Sequence, residues 1–188
     1  MDRQDIESIY PLTDSQAAML AHHLQAGPVD RGRIQMQINM EGVVEPRVLE
    51  KAWAHLIRTF PVLRTTIHWR GLRQAVQVVH RNARCNLAVK DWTGLDPGDA
   101  EVNVQAYLQD DRDTGLDLTN KTNFRLALLQ GSSRKSLLVW TCHHLLLDGW
   151  SSMLVLQEMT RIYGILKRDG DLQPARATPF KDYADWVA

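Results

Sequence analysis

Apolar positions at Val48, Leu49, Ala52, Trp53, Leu56, Ile57 and Phe60 recur at the three- and four-residue spacing of a buried helix face, with Pro46 opening the run and Pro61 ending it. A similar run, Met153, Leu154, Leu156, Met159, Ile162, Tyr163 and Leu166, predicts a second amphipathic helix from about Trp150. Two further helices are expected. One is capped by Asp14 or Ser15 and runs to about Leu24, where Gly27-Pro28 stops it, and a polar one covers Ala100 to Asp111 after the turn-rich loop Thr93 to Asp99. Strand patterns lie between them. Ile34, Met36, Ile38 and Met40 alternate with Arg33, Gln35, Gln37 and Asn39, which predicts a strand with one buried face. Leu63 to Trp69 and Gln74 to His80 read as strands turned at Gly71, and Leu87 to Trp92 as a third. Asn123 to Leu129 and Ser136 to Thr141 form a strand pair around Gly131-Ser132-Ser133, and Pro174 and Pro179 bracket a linker before a short closing helix. This mixture predicts an α/β or α+β sandwich with helices packed on a sheet.

The chain has 188 residues, enough for one domain or one subdomain with a substantial core. Its 22 basic residues balance its 22 acidic ones, which argues against a nucleic-acid binder needing a basic face. The two cysteines, Cys85 and Cys142, are too few for a disulfide framework or a zinc motif, and a reduced, cytoplasmic protein is expected. Met1 to Asp5 is polar and leads into no long apolar run, so neither a signal peptide nor a membrane span is expected. Methionines 19, 36, 40, 153 and 159 sit at core-like spacings and read as fillers.

The chemistry concentrates in Cys142-His143-His144-Leu145-Leu146-Leu147-Asp148-Gly149-Trp150-Ser151, directly after the strand-like run Ser136 to Thr141. Imidazoles at a strand end suit general-base work, because a neutral ring accepts a proton near physiological pH. Adjacent residues there face opposite ways, so one histidine is expected to point into structure and the other outward. Asp148 is suited to holding a neighbour by a charge-assisted hydrogen bond, and Gly149 would let a substrate pass close to the backbone. Trp150 and Ser151 are candidate site-lining residues, although a helix-start tryptophan is more often simple packing and Ser151 a helix cap. Cys142, flanked by apolar strand, reads as an inert thiol. A metal site from His143, His144 and Asp148 is disfavoured, since adjacent histidines rarely converge on one ion.

The pattern His143-His144-x-x-x-Asp148-Gly149 resembles the signature of nonribosomal peptide synthetase condensation domains, within the chloramphenicol acetyltransferase-like superfamily. Other segments match in order. Tyr10-Pro11-Leu12-Thr13-Asp14-Ser15-Gln16-Ala17-Ala18-Met19-Leu20 is similar to the family's opening helix motif, Pro61-Val62-Leu63-Arg64-Thr65 to its Arg-His-x-x-Leu-Arg-Thr segment, and Phe180-Lys181-Asp182-Tyr183-Ala184-Asp185-Trp186 to its fourth motif. Thr59-Phe60 stands where the family has Arg-His, while Arg64 is retained. Family members run to roughly twice this length, so residues 1–188 resemble the amino-terminal subdomain of a two-lobed domain whose carboxy-terminal lobe is absent.

The resemblance implies a two-layer sandwich of helices on a mixed sheet and an amide-forming reaction. A carrier-bound acyl or peptidyl thioester would be attacked by a carrier-bound aminoacyl amine. No cofactor would be bound by the domain itself, because 4'-phosphopantetheine arms of donor and acceptor carrier proteins deliver both substrates. It implies that His144 faces the tunnel, either taking a proton or steering the amine, that His143 buttresses the loop, and that Asp148 pairs with Arg64 across the fold. Two other readings stay open: half of an epimerisation domain, which shares the histidine loop, and a noncatalytic docking module of the same fold. The Gln16 to Leu20 opening favours condensation, and heterocyclisation is excluded because its members replace the two histidines with an Asp-containing motif.

Overall fold

The computed structural model describes residues 3–25, 32–131, 135–172 and 177–187. Expectations for Gly27-Pro28, Ser132-Ser133 and Pro174 lie outside the described residues. Two sheets organise the rest. Strands β1 (Ile6–Pro11), β4 (Val76–His80) and β3 (Thr65–His68) form a small antiparallel sheet with β4 central. Strands β2 (Arg33–Glu41), β7 (Lys135–His143), β6 (Arg125–Gln130) and β5 (Leu87–Asp91) form a larger sheet in that spatial order. Within it, β5 and β6 are parallel and the other pairs antiparallel, because helix α3 (Pro97–Asp113) carries the chain over between β5 and β6. The sheet is therefore mixed, as expected. The small sheet and the covering of a second face by α3 are added by the structure.

Side-chain alternation in β6 and β7 explains the layers. Leu126, Leu128, Leu138, Trp140 and Cys142 face one way and pack with Leu49, Trp53 and Leu56 of α2 (Pro46–Thr59) and Val155, Met159 and Ile162 of α4 (Gly149–Leu166). Ile34, Met36, Ile38 and Met40 of β2 join that core from the edge. Ala127, Leu129 and Val139 face the other way, onto Leu108 of α3. Trp53 sits edge-on to Trp140 with ring centroids 5.0 Å apart. Burying a side chain of this size contributes roughly 1.5–3 kcal/mol.

Several sequence expectations shift. No strand was expected over residues 6–11, yet β1 forms there, so Tyr10 and Pro11 belong to it and not to the helix that follows. Helix α1 (Asp14–Gln25) is opened by Thr13 in a capping box, and not by Asp14 or Ser15. The Thr13 N–H donates to Gln16 Oε1 at 3.1 Å while the Gln16 N–H donates to Thr13 Oγ1 at 3.4 Å. The first part of the expected Leu63 strand is a 3-10 turn, Pro61–Arg64. Met19, Met153 and Leu154 are exposed, so those two methionines are surface residues and not core fillers.

Candidate active site

Strand β7 ends at His143, and alternation divides the two histidines as expected. His143 is buried, 1% exposed, whereas the next residue, His144, is exposed. The loop between β7 and α4 is pinned at every residue up to the helix. The His144 N–H donates to the Gly32 carbonyl at 2.7 Å, and the Leu145 N–H donates to His143 Nδ1 at 3.0 Å. A backbone donor aimed at Nδ1 makes that nitrogen the acceptor and leaves the neutral ring's proton on Nε2. The His143 carbonyl accepts from Leu146 and Leu147 at 3.0 and 3.3 Å. Leu145 and Leu147 are buried in separate apolar clusters, one beneath the small sheet and one beneath α4. Gln16 Nε2 donates to the Leu145 carbonyl at 3.0 Å and also meets Gln77 of β4, tying α1 to the loop.

This anchoring leaves the His144 side chain on a groove of about 490 Å³. One wall is the face of α1 carrying Ser15, Ala18, Met19 and His22, with His23 beside it. Gly32, His143 and His144 complete the lining. The His23 and His143 rings meet edge to face, centroids 5.0 Å apart and planes at 84°. Among the described residues the His144 ring makes no hydrogen bond, so its two nitrogens are available to a ligand. No group of three histidine, cysteine or acidic residues among the described residues is arranged to hold a metal ion.

Asp148 and Arg64 do not form the expected pair. Asp148 is the exposed N-cap of α4, accepting from the Ser151 N–H at 2.7 Å, and that bond holds its carboxyl below the usual range. Arg64 is buried and its guanidinium is occupied elsewhere, by Glu7 at 2.5 Å, the His80 carbonyl at 2.6 Å and the Ile57 carbonyl at 3.0 Å. The capping role considered for Ser151 belongs to Asp148, with Ser151 supplying the backbone donor. Trp150, 75% exposed, faces a surface depression with Met36 and Met153, and Ser151 faces another with Phe60 and Tyr183, so neither lines the His144 groove. A methyl added at Gly149 would touch no protein atom, which leaves open space over the first residue of α4. Cys142 is the inert thiol expected, with burial pushing its pKa up to about 12.

The condensation-domain family profile matches residues 6–188. The chain belongs to that family. Within nonribosomal peptide synthetases, it corresponds to the amino-terminal lobe of a condensation domain. It is 30% identical over 183 residues to bacitracin synthase 3 of Bacillus licheniformis, covering 97% of this chain and 3% of that protein. Gramicidin S synthase 2 of Brevibacillus brevis is 30% identical over 185 residues, covering 98% of this chain and 4% of that protein. In fold it is similar to the starter condensation domain of rhizomide synthetase RzmA, with a TM-score of 0.85 at 21% identity, over 96% of this chain and 45% of that one. The first condensation domain of the calcium-dependent antibiotic synthetase, solved with a substrate analogue, also gives 0.85 at 16% identity, over 97% and 45%. The condensation lobe thus spans less than half of those solved chains and a small fraction of the curated relatives.

Sequence reasoning named the histidine loop but missed the residues that hold it. The Thr13-x-x-Gln16 capping box was legible as a pattern, whereas nothing in the sequence tied Gln16 to Leu145 or Gly32 to His144.

Proposed function

We propose that this chain is the histidine-bearing lobe of a domain that forms an amide bond between two carrier-bound substrates. The amine nitrogen of the acceptor attacks the donor thioester carbonyl. The new C–N bond forms, the C–S bond breaks, the sulfur stays on the donor arm, and the amine's surplus proton passes to His144 and on to the departing sulfur. The observation that carries this reading is the contrast within the motif: His144 presents a free, exposed ring to a groove while its backbone N–H is fixed on Gly32. The open space over Gly149 suits a substrate arm passing close to the backbone. The thioester supplies the driving force, so the lobe needs no resident cofactor, and both substrates arrive on phosphopantetheine arms of donor and acceptor carriers.

Placement is the larger contribution, because holding two reactants in attack geometry is worth roughly 7–11 kcal/mol of barrier. Proton transfer adds a factor of about 10²–10⁴. The groove is open on one side in this lobe, and a carboxy-terminal lobe closes it, consistent with the preference of ligand sites for interfaces. The 188-residue chain alone therefore yields little dipeptide. The test mixes loaded donor and acceptor carriers with the lobe, alone and joined to its carboxy-terminal partner, and reads dipeptidyl thioester by intact-protein mass spectrometry. Product only from the joined lobes, abolished by His144→Ala, is the expected result. Robust product from the lobe alone would refute the two-lobe requirement, and an inverted α-carbon without a new amide would assign epimerisation instead.

A further inference from the structure

Gly32 lies outside the histidine motif, immediately before β2, where Arg33 is the register partner of His143. Two independent features join it to the motif. Its carbonyl accepts the His144 N–H at 2.7 Å, which fixes the backbone from which the exposed imidazole projects. Its missing side chain makes room for the neighbouring ring: a Cβ at position 32 would stand 2.5 Å from His143 Nε2, closer still to Cε1 and 3.3 Å from Nδ1. The His143 ring has little freedom to retreat. It is fully buried, the Leu145 N–H donates to its Nδ1, and the His23 ring packs against it. The clash is therefore with a fixed imidazole and not with the free end of a flexible side chain.

We infer that Gly32 is a positioning residue for His144: its lack of a Cβ admits the buried His143 ring while its carbonyl sets the height of the His144 backbone in the groove. The inference rests on His144 being the reactive imidazole of the proposed condensation. A methyl at position 32 pushes either β2 or the His143 ring aside. Both movements act on the same short loop, since His143 holds Leu145 and Gly32 holds His144. Displacing a reacting group by about 1 Å costs on the order of 100-fold in rate.

The experiment compares His144→Ala, Gly32→Ala, His143→Ala and the Gly32→Ala/His143→Ala pair in the lobe joined to its carboxy-terminal partner. Product rate and the KM for the acceptor carrier are read in each. Gly32→Ala is expected to lower kcat about 100-fold with the carrier KM unchanged, because carrier docking does not involve this buried contact. In the double variant the ring is gone, so the added methyl has no clash. Its rate should equal that of His143→Ala, with no further loss from the methyl, whereas a defect at position 32 that did not act through the ring would add to it.

Hydrogen exchange at the His144 amide gives a reading independent of turnover: exchange speeds up in Gly32→Ala as the bond to the Gly32 carbonyl loosens. If His144→Ala leaves the rate unaltered, the assignment of the reactive imidazole fails. If His144→Ala abolishes product while Gly32→Ala stays within about twofold of the parent, or the double variant is slower than His143→Ala by the full factor that Gly32→Ala loses on its own, the inference about Gly32 is overturned and the proposed function stands.

Discussion

Two polar constellations at strand ends of this lobe use similar residues to opposite ends. At the end of β4, His80 is buried, its Nδ1 3.2 Å from Asp5 and its Nε2 2.9 Å from Thr66 Oγ1. Asp5 is in turn bonded to Lys121 and to the Asn82 backbone, and Arg64 seals the neighbouring carbonyls of His80 and Ile57. Every polar atom named there is spent on tying the end of β4 to the segment before β1, to β3 and to α2. At the end of β7, the backbone is held just as firmly, by Gly32, Gln16 and His143, but one ring is left unspent. A buried, saturated histidine stabilises, whereas an exposed one on a fixed backbone can meet a substrate. The two sites are also separate, since Arg64 and Asp148 each complete their bonding locally.

The largest expected effect sharpens that contrast from the reactive side. His144→Ala in the complete domain should lower product formation by about 10²–10⁴-fold while leaving the thermal midpoint of the lobe unchanged. From the structural side, Arg64→Ala removes a buried cation from Glu7 and from the carbonyls of Ile57, Arg58 and His80 and, by leaving buried carbonyls without a donor, should cost roughly 1–3 kcal/mol of stability in urea unfolding. A change under about 1 kcal/mol would break the view that this constellation holds the small sheet.

Acid should weaken the constellation at β4 in two steps. Burial lowers the pKa of His80 despite Asp5, so its contribution to stability is present above its unfolded value, near 6.5, and is lost as pH falls through the depressed one. Hydrogen bonding, from Lys121 foremost, lowers the Asp5 carboxyl from 3.8 to about 2. Its contribution is present above about pH 4 and is lost as pH falls towards 2. Asp5→Asn should abolish this second loss in an acid titration of stability, and persistence of the full loss would assign it elsewhere.

Smaller effects test the separation directly. Asp148→Ala removes a helix cap and should cost about 1 kcal/mol. Combined with Arg64→Ala, the two costs should add within about 0.5 kcal/mol, as for sites without shared partners. A larger coupling would restore the Arg64–Asp148 pairing that the structure replaces. Trp150→Ala, at an exposed position away from the His144 groove, should change stability by less than about 0.5 kcal/mol and leave product formation unaltered.

Regular periodicity made much of the fold readable. The spacing in α2 predicts its buried face, Leu49, Ala52, Trp53, Leu56 and Ile57, with Val48 and the C-cap Phe60 only half-buried, and the alternation in β2 predicts the side that joins the core. Strand β1 escaped because its register shifts between Ile6 and Ser8, which breaks the parity that an alternation search relies on, and because Ile9 is exposed. Glu7, carried on β1, is the carboxylate that meets Arg64, in place of the Asp148 pairing that the family resemblance implies.

By itself the sequence determined most of the element types, the neutral charge balance, the family, and that the two adjacent histidines face opposite ways, because these follow from local periodicity and short patterns. Tertiary structure alone decided the partners: Glu7 for Arg64, Gly32 for His144, Gln16 for Leu145. Each bond joins residues far apart in the chain, and its existence depends on strand register and on whether a neighbour carries a Cβ, quantities set by packing and invisible to any local pattern.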